Sequence, residues 1–174
     1  MQIFNKNITL FIFAKLAEAY PIGKVKIAPG TLASFFALII GYYTLIKFGV
    51  TLYIAFIFIF VISGYILCEA HIKVYKKKDP SEVVVDEFAG QFIVILATID
   101  TDNKLHVALS LLISFSLFRF FDITKLGPIK KMENLKGGLG IMADDILAGI
   151  LALITQSALL TFLNQPIILK SYMS

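Results

Sequence analysis

The sequence is poor in charged residues, has one cysteine and lacks tryptophan altogether. The single cysteine, Cys68, excludes an internal disulfide and any metal site built from several cysteines. Charged residues make up 16% of the 174 positions, against about 25% in an average soluble protein. Hydrophobic residues make up 58%, and the mean hydropathy is +0.84. These proportions exclude a disordered chain and an ordinary soluble globule, and they indicate a protein solvated largely by lipid.

Long apolar stretches alternate with polar connectors along the chain. Five stretches have no acidic, lysine or arginine side chain: 27–46, 48–68, 88–99, 105–118 and 146–169. A helix needs about 20 apolar residues to cross the hydrocarbon core, so the third and fourth stretches form either short spans or a shallow hairpin. Isolated strands are excluded in lipid because their backbone polar groups would stay unsatisfied. We therefore predict an all-α membrane bundle of about five hydrophobic helices, formed as a single domain over residues 1–174.

The placement of charges predicts an orientation. The N-terminal segment to residue 26 carries four basic residues, the loop 69–87 carries four and the loop 119–145 carries five, which together are 13 of the 16. Asp100 and Asp102 are the only two of the 12 acids that lie outside these segments. Because basic loops remain on the cytoplasmic side, we expect all three segments, and any chemistry, at the cytoplasmic membrane surface.

Three acidic clusters lie where apolar stretches meet those loops: Asp86-Glu87, Asp122 and Asp144-Asp145. Acids at the edge of a span are costly unless they are paired or bind a cation, and carboxylate oxygens suit Mg²⁺. Adjacent residues on a helix point about 100° apart, so we expect only one member of each adjacent pair to ligate the ion directly. The alternative is that these acids only complement the N-terminal ends of helices.

Three glycines precede the last acidic pair: Gly137, Gly138 and Gly140. Glycine lets backbone N–H groups approach an anion closely at the start of a helix, so these residues are candidates for binding a phosphate. The alternative is an ordinary loop that begins a helix.

Four polar residues near the other acids are further candidates. Thr31 and Ser34 follow a Pro-Gly turn, and they either form a wall of the site or cap a helix. Arg119 and Lys125 flank Asp122 at three residues on either side, which is the spacing of neighbours on one helical face. The guanidinium of Arg119 can bind phosphate in a bidentate manner, or it can balance charge at the membrane surface.

The combination of four segments resembles the phosphatidylglycerophosphatase A family of small bacterial membrane enzymes. The segments are Ala28-Pro29-Gly30-Thr31; Asp79-Pro80 through Asp86-Glu87-Phe88 to Gly90; Phe118-Arg119-Phe120-Phe121-Asp122 through Lys125 to Pro128; and Gly137 through Asp144-Asp145 to Gly149. The chain departs from the usual family pattern at Ala33, Val85 and Leu126, but no acid is missing.

The resemblance implies Mg²⁺-dependent hydrolysis of the phosphate monoester of phosphatidylglycerol phosphate, a glycerophospholipid, in the bacterial inner membrane. It implies that Asp86, Glu87, Asp122, Asp144 and Asp145 are the metal-binding and catalytic carboxylates. The chain has no Asp-x-Asp-x-Thr motif, so attack by water is favoured over an aspartyl-phosphate intermediate.

Two other functions use acids at membrane edges. A CDP-alcohol phosphotransferase also needs Mg²⁺, but its long Asp-Gly…Ala-Arg…Gly…Asp…Asp pattern does not occur here. A small cation transporter would place its acids at mid-membrane depth, whereas these lie at the ends of apolar stretches. No basic stripe interleaved with aromatic residues indicates nucleic-acid binding. The sequence leaves the oligomeric state open.

Overall fold

The computed structural model describes residues 2–77, 80–163 and 165–168, with side chains from residue 7 onward. Its helices are α1 (Gln2–Ala17), α2 (Pro29–Tyr75), α3 (Val85–Val94), α4 (Lys104–Thr124), α5 (Ile129–Met132) and α6 (Gly138–Phe162). The described residues contain no strand, only one isolated bridge between Ile99 and Ile167, which confirms the all-α prediction. Two residues named in the sequence analysis lie outside the described residues: Asp79, in the second family segment, and Leu169, at the end of the last apolar stretch.

Helix α2 is folded back on itself at Gly49, where φ is 75° and ψ is 169°. Near its start, Gly30 packs directly against Glu87, and in its second half Gly64 lies within van der Waals reach of Val85. Both partners belong to the first turn of α3. A straight helix would separate Gly30 from Gly64 by about 50 Å, at 1.5 Å per residue. The two halves of α2, 29–48 and 50–75, therefore form an antiparallel hairpin.

Three helices of the described chain, α2, α4 and α6, are long and apolar enough to cross a membrane. The predicted stretch 105–118 becomes the 21-residue helix α4, which extends through Arg119 and Asp122. The predicted stretch 88–99 forms the 10-residue helix α3 and a 3₁₀ turn, Ile95–Ala97, both almost entirely buried by their neighbours. Helix α3 is thus a short central helix, because surrounding helices rather than lipid cover its apolar surface.

Close packing between α3 and α6 fixes the centre of the bundle. A Cβ at Gly149 would overlap the carbonyl oxygen of Gly90, and a Cβ at Gly90 would lie 2.6 Å from the carbonyl oxygen of Asp145. Only glycine allows two helix backbones to approach this closely. The contact places the start of α3, with its acidic pair, beside the second turn of α6.

The first helix is held to α2 by a buried charge. The fully buried carboxylate of Glu18 lies 2.9 Å from Lys15 Nζ, 3.3 Å from His71 Nε2 and 3.6 Å from Lys24 Nζ. The backbone N–H of Val84 donates to the carbonyl oxygen of Ala17, 3.1 Å away. These contacts anchor the segment that leads into α3 and its acidic pair.

Candidate active site

A group of three carboxylates joins α3 to α6. One oxygen from each of Asp86, Glu87 and Asp145 lies within 4.8 Å of the others. Asp86 and Glu87 occupy the first turn of α3, and Asp145 lies in the second turn of α6. Both members of the Asp86-Glu87 pair belong to the group, and that only one of them ligates an ion directly stays a prediction. The start of α3 packs between α2 and α6, so both side chains are half-buried and reach the same cavity.

Asp122, near the end of α4, extends this group. It lines the same cavity as Glu87 and Asp145. Its Oδ2 accepts a hydrogen bond from Arg119 Nη1 at 2.5 Å, which holds the carboxylate beside the cation. The same Arg119 nitrogen lies 3.4 Å from Ser34 Oγ, and Ser34 donates to the carbonyl oxygen of Gly30 at 2.8 Å. Ser34 therefore acts as a support for Arg119.

Asp144, the other acid of α6, lies apart from the group of three carboxylates. Asp144 Oδ2 accepts a hydrogen bond from Lys125 Nζ at 2.5 Å, and Glu133 lies 3.7 Å from the same nitrogen. Burial alone would lower the pKa of Lys125, but the hydrogen bond and the charges of Asp144 and Glu133 raise it above its usual value. Lys125 is therefore a permanent cation. Asp144 pairs with it, whereas the adjacent Asp145 lies with Asp86 and Glu87.

These side chains line one cavity of about 630 Å³ at the end of the bundle where α2, α3 and α6 begin and α4 ends. Ten of the twelve predicted site residues contribute to its wall: Thr31, Asp86, Glu87, Arg119, Asp122, Lys125, Gly137, Gly140, Asp144 and Asp145. Ser34 and Gly138 do not line it. The N-cap of α2 is Ala28, with a left-handed backbone (φ 47°), so the predicted alternative of a cap at Thr31 is wrong and Thr31 is part of the wall.

The glycine segment differs from its expected phosphate-binding arrangement. The N–H of Gly138 donates to Oε1 of Glu69 at 2.7 Å, and the N–H of Gly140 donates to the carbonyl oxygen of Gly137 at 3.1 Å. Both amides are therefore already engaged within the protein. Glu69 is not among the residues predicted from the sequence, although it directly follows the apolar stretch 48–68 and so lies at the edge of a span, as Asp86 does.

The carboxylate group fits a hard divalent cation. All of its donors are oxygens, and Oε2 of Glu87 is buried without a hydrogen-bond partner among the described residues. Burial raises the pKa of Asp86 well above its usual value, and the charges of Glu87 and Asp145 raise it further. Burial likewise raises the pKa of Glu87. A divalent cation bound there would offset both the cost of burying these carboxylates and their mutual repulsion.

Asp86 and Glu87 both lie in the first turn of α3, where they also complement the N-terminal end of the helix, as the alternative predicts. The N-cap residue is Val84, which makes no side-chain capping bond. Asp86 Oδ1 accepts a hydrogen bond from the N–H of Glu87 at 3.1 Å, and Asp86, Glu87 and Asp145 each have an oxygen within 4.8 Å of the others. Such crowding is unfavourable for a structural cap and favourable for a cation site.

Comparison with known proteins places the chain. The profile of the family described as Phosphatidylglycerophosphatase A matches residues 15–160. Phosphatidylglycerophosphatase A of Haemophilus influenzae is 37% identical over 145 residues, 83% of this chain and 86% of the relative. The Escherichia coli protein of the same name is 33% identical over 138 residues, 79% and 77% of the two chains.

A third relative carries a different name. A Bacteroides thetaiotaomicron protein named as a candidate phosphatidylinositol-3-phosphatase is 36% identical over 148 residues, 83% of this chain and 91% of the relative. No solved structure is significantly similar to this chain. On the family profile and the two relatives that bear its name, the chain belongs to the phosphatidylglycerophosphatase A family.

Proposed function

We propose that this protein hydrolyses the phosphate monoester of phosphatidylglycerol phosphate and releases phosphatidylglycerol and inorganic phosphate. The observation that carries the proposal is the convergence of Asp86, Glu87 and Asp145 in a cavity that also contains two cations, Arg119 and Lys125. Membership of the family, and the names of the Haemophilus and Escherichia relatives, support this substrate.

Asp86, Glu87 and Asp145 are the residues that would hold a divalent cation, with Asp122 next to them. Their oxygen-only donor set favours Mg²⁺. Bound there, Mg²⁺ supplies charge neutralisation for the phosphate and acidifies water. The remaining chemistry belongs to the protein's own side chains.

Arg119 and Lys125 are suited to bind the oxygens of the terminal phosphate. Each is held by one carboxylate, Asp122 and Asp144 respectively, so each is already oriented before substrate binds. A water oxygen attacks phosphorus, and the bond from phosphorus to the glycerol oxygen breaks. The proton lost by water goes to an acid outside the group of three, Asp122 or Asp144, and a proton is returned to the leaving oxygen.

We further propose that the cavity faces the cytoplasm of a bacterium and that the chain is a multi-pass protein of the inner membrane. Both halves of α2, together with α4 and α6, then cross the bilayer, with α3 buried among them as one domain. The support is the excess of lysine and arginine in the segments around the cavity: up to residue 26, 69–87 and 119–145.

The names of the Bacteroides and Haemophilus relatives differ in the headgroup of the lipid substrate. A polyol phosphate monoester on a glycerophospholipid is common to both relatives' names, and a cavity of about 630 Å³ admits either headgroup. We favour phosphatidylglycerol phosphate because the family profile and two relatives carry that name.

The test is phosphate release by the purified protein in detergent micelles. Phosphatidylglycerol phosphate, phosphatidylinositol 3-phosphate and phosphatidic acid are compared at equal surface concentration, with Mg²⁺ or with excess EDTA. We expect fast, Mg²⁺-dependent release from the first lipid and little from phosphatidic acid. Faster release from the inositol lipid would overturn the headgroup assignment.

A second arm separates the alternative functions. CDP-diacylglycerol and glycerol 3-phosphate are supplied together, and CMP is measured. Production of CMP would show a phosphotransferase instead of a phosphatase. Mg²⁺ uptake into sealed proteoliposomes with no phosphate release from any lipid would favour the transporter.

A further inference from the structure

The start of α6 has an unusual partner. Its N-cap residue, Gly137, has no side chain to cap the helix and adopts a φ of 70°, which is accessible mainly to glycine. The first amides of a helix have no partner within it. Here Oε1 of Glu69, near the end of α2, accepts the N–H of Gly138 at 2.7 Å. A carboxylate from a different helix thus takes the role of the missing cap.

The two glycines are shaped to this contact. A Cβ at Gly137 would overlap Oε1 of Glu69, and a Cβ at Gly138 would lie 2.9 Å from the carbonyl oxygen of Tyr65 and 3.0 Å from Cβ of Cys68. The segment from Tyr65 to Glu69 and the first turn of α6 are therefore in direct backbone contact. Glu69 itself does not line the cavity, and its contact with the site is made through the first turn of α6.

Helix α6 carries two acids of the site in its second turn. Asp145 lies seven residues after Gly138, which is about 10 Å along the helix. To belong to the group, its carboxylate oxygen must lie within a few ångströms of Asp86 and Glu87 on α3. The position of α6 along its own axis therefore sets the distances from Asp145 to those two carboxylates. The hydrogen bond from the N–H of Gly138 to Glu69 holds the N-terminal end of α6 in its axial position.

We propose that Glu69 is a positioning residue: it holds the first turn of α6 against α2 and thereby sets the affinity of the carboxylate group for a divalent cation. This inference rests on the proposed function only in taking the group as a cation site. Outer residues that orient metal ligands typically change metal affinity by 10–100-fold when they are mutated. Because α6 is also held by Gly64 against Met142 and by Gly90 against Asp145, we expect an effect at the lower end, about tenfold.

The experiment compares E69A, which removes the acceptor, with E69Q, which keeps an acceptor oxygen but loses the charge. The matched control is N103A, which removes the side-chain cap at the other end of the bundle, where Asn103 Oδ1 accepts from the N–H groups of Leu105 and His106. Each protein is titrated with Mg²⁺ while phosphate release and thermal stabilisation are recorded. Hydrogen exchange of residues 138–142 reports the state of the first turn.

We expect E69A to raise both Mg²⁺ midpoints about tenfold and to speed exchange of 138–142, with E69Q close to wild type. N103A lowers the melting temperature without moving either midpoint. If E69A does not fold, E69D, whose side chain is one methylene shorter and so weakens the contact with Gly138, is expected to shift the midpoints in the same direction.

Two results would overturn the inference. In the first, E69A loses stability as N103A does while its Mg²⁺ midpoints stay at the wild-type values, so that Glu69 is only a cap. In the second, E69Q shifts as far as E69A, so that charge and not hydrogen bonding is responsible. If wild-type protein releases no phosphate, the proposed function fails, but the thermal titration still decides the role of Glu69.

Discussion

Replacing Gly149 with alanine is a direct test of how the helix packing builds the site. The added Cβ would lie 3.0 Å from both Cα and the carbonyl carbon of Gly90 and would overlap the carbonyl oxygen of that residue. Carbon atoms in ordinary contact are about 3.5–4.0 Å apart, so α3 and α6 must separate by at least about 0.5 Å. The obstacle is backbone, so no side-chain rotation can relieve it.

That displacement acts on the carboxylate group, because Asp86 and Glu87 belong to α3 and Asp145 belongs to α6. Metal–ligand distances tolerate deviations of only about 0.2 Å, so a shift of about 0.5 Å weakens cation binding. Misplacement of reacting groups by about 1 Å can reduce a rate about 100-fold. We therefore expect G149A to lower phosphate release by roughly 10–100-fold and to raise the Mg²⁺ concentration that gives half-maximal activity.

The matched control is G41A, which is also overpacked but far from the acids. A Cβ at Gly41 would lie 2.7 Å from atoms of three side chains, Tyr53, Phe92 and Ile95, which can adjust. Overpacking costs about 1–3 kcal/mol of unfolding free energy, so both variants should melt at lower temperature. Activity per folded molecule should fall only in G149A. Wild-type activity and an unchanged Mg²⁺ midpoint in folded G149A would refute the argument that helix spacing sets the site.

Three further predictions follow from the same contacts. Single Asp→Asn changes should each abolish phosphate release while the helical circular-dichroism spectrum is kept; the positions are Asp86, Asp122, Asp144 and Asp145. Near-normal turnover in all four variants would contradict the assignment of the site. K125M removes the cation that donates a hydrogen bond to the buried carboxylate of Asp144, so we expect both a lower melting temperature and lower phosphate release. An unchanged KM for the lipid would argue against contact between Lys125 and phosphate. E18Q removes the charge that pairs with Lys15 and Lys24. It should lower the unfolding free energy, measured by denaturant titration, by about 1–3 kcal/mol without moving the Mg²⁺ midpoint of phosphate release. A shifted midpoint would mean that the contacts of Glu18 also shape the site.

The sequence by itself determined the class of structure and the kind of chemistry. Charge-free stretches of 12–24 residues leave few options other than helices in lipid, because lipid forces every backbone polar group to be satisfied within its own segment. Acids such as Asp86 and Asp145 at the ends of those stretches were visible for the same reason, since an unpaired charge there is costly. The family motifs then named the reaction to be tested.

Only the tertiary structure decided which groups meet. Periodicity along one helix cannot show that Asp86 and Glu87 both face Asp145, because the position of α3 between α2 and α6 settles that. The contact between Gly138 and Glu69, which are 69 residues apart, likewise depends on how α6 packs against the second half of α2. Spacing within a helix is a local property of the chain, whereas the distance between helices depends on which side chains are small enough to let their backbones touch.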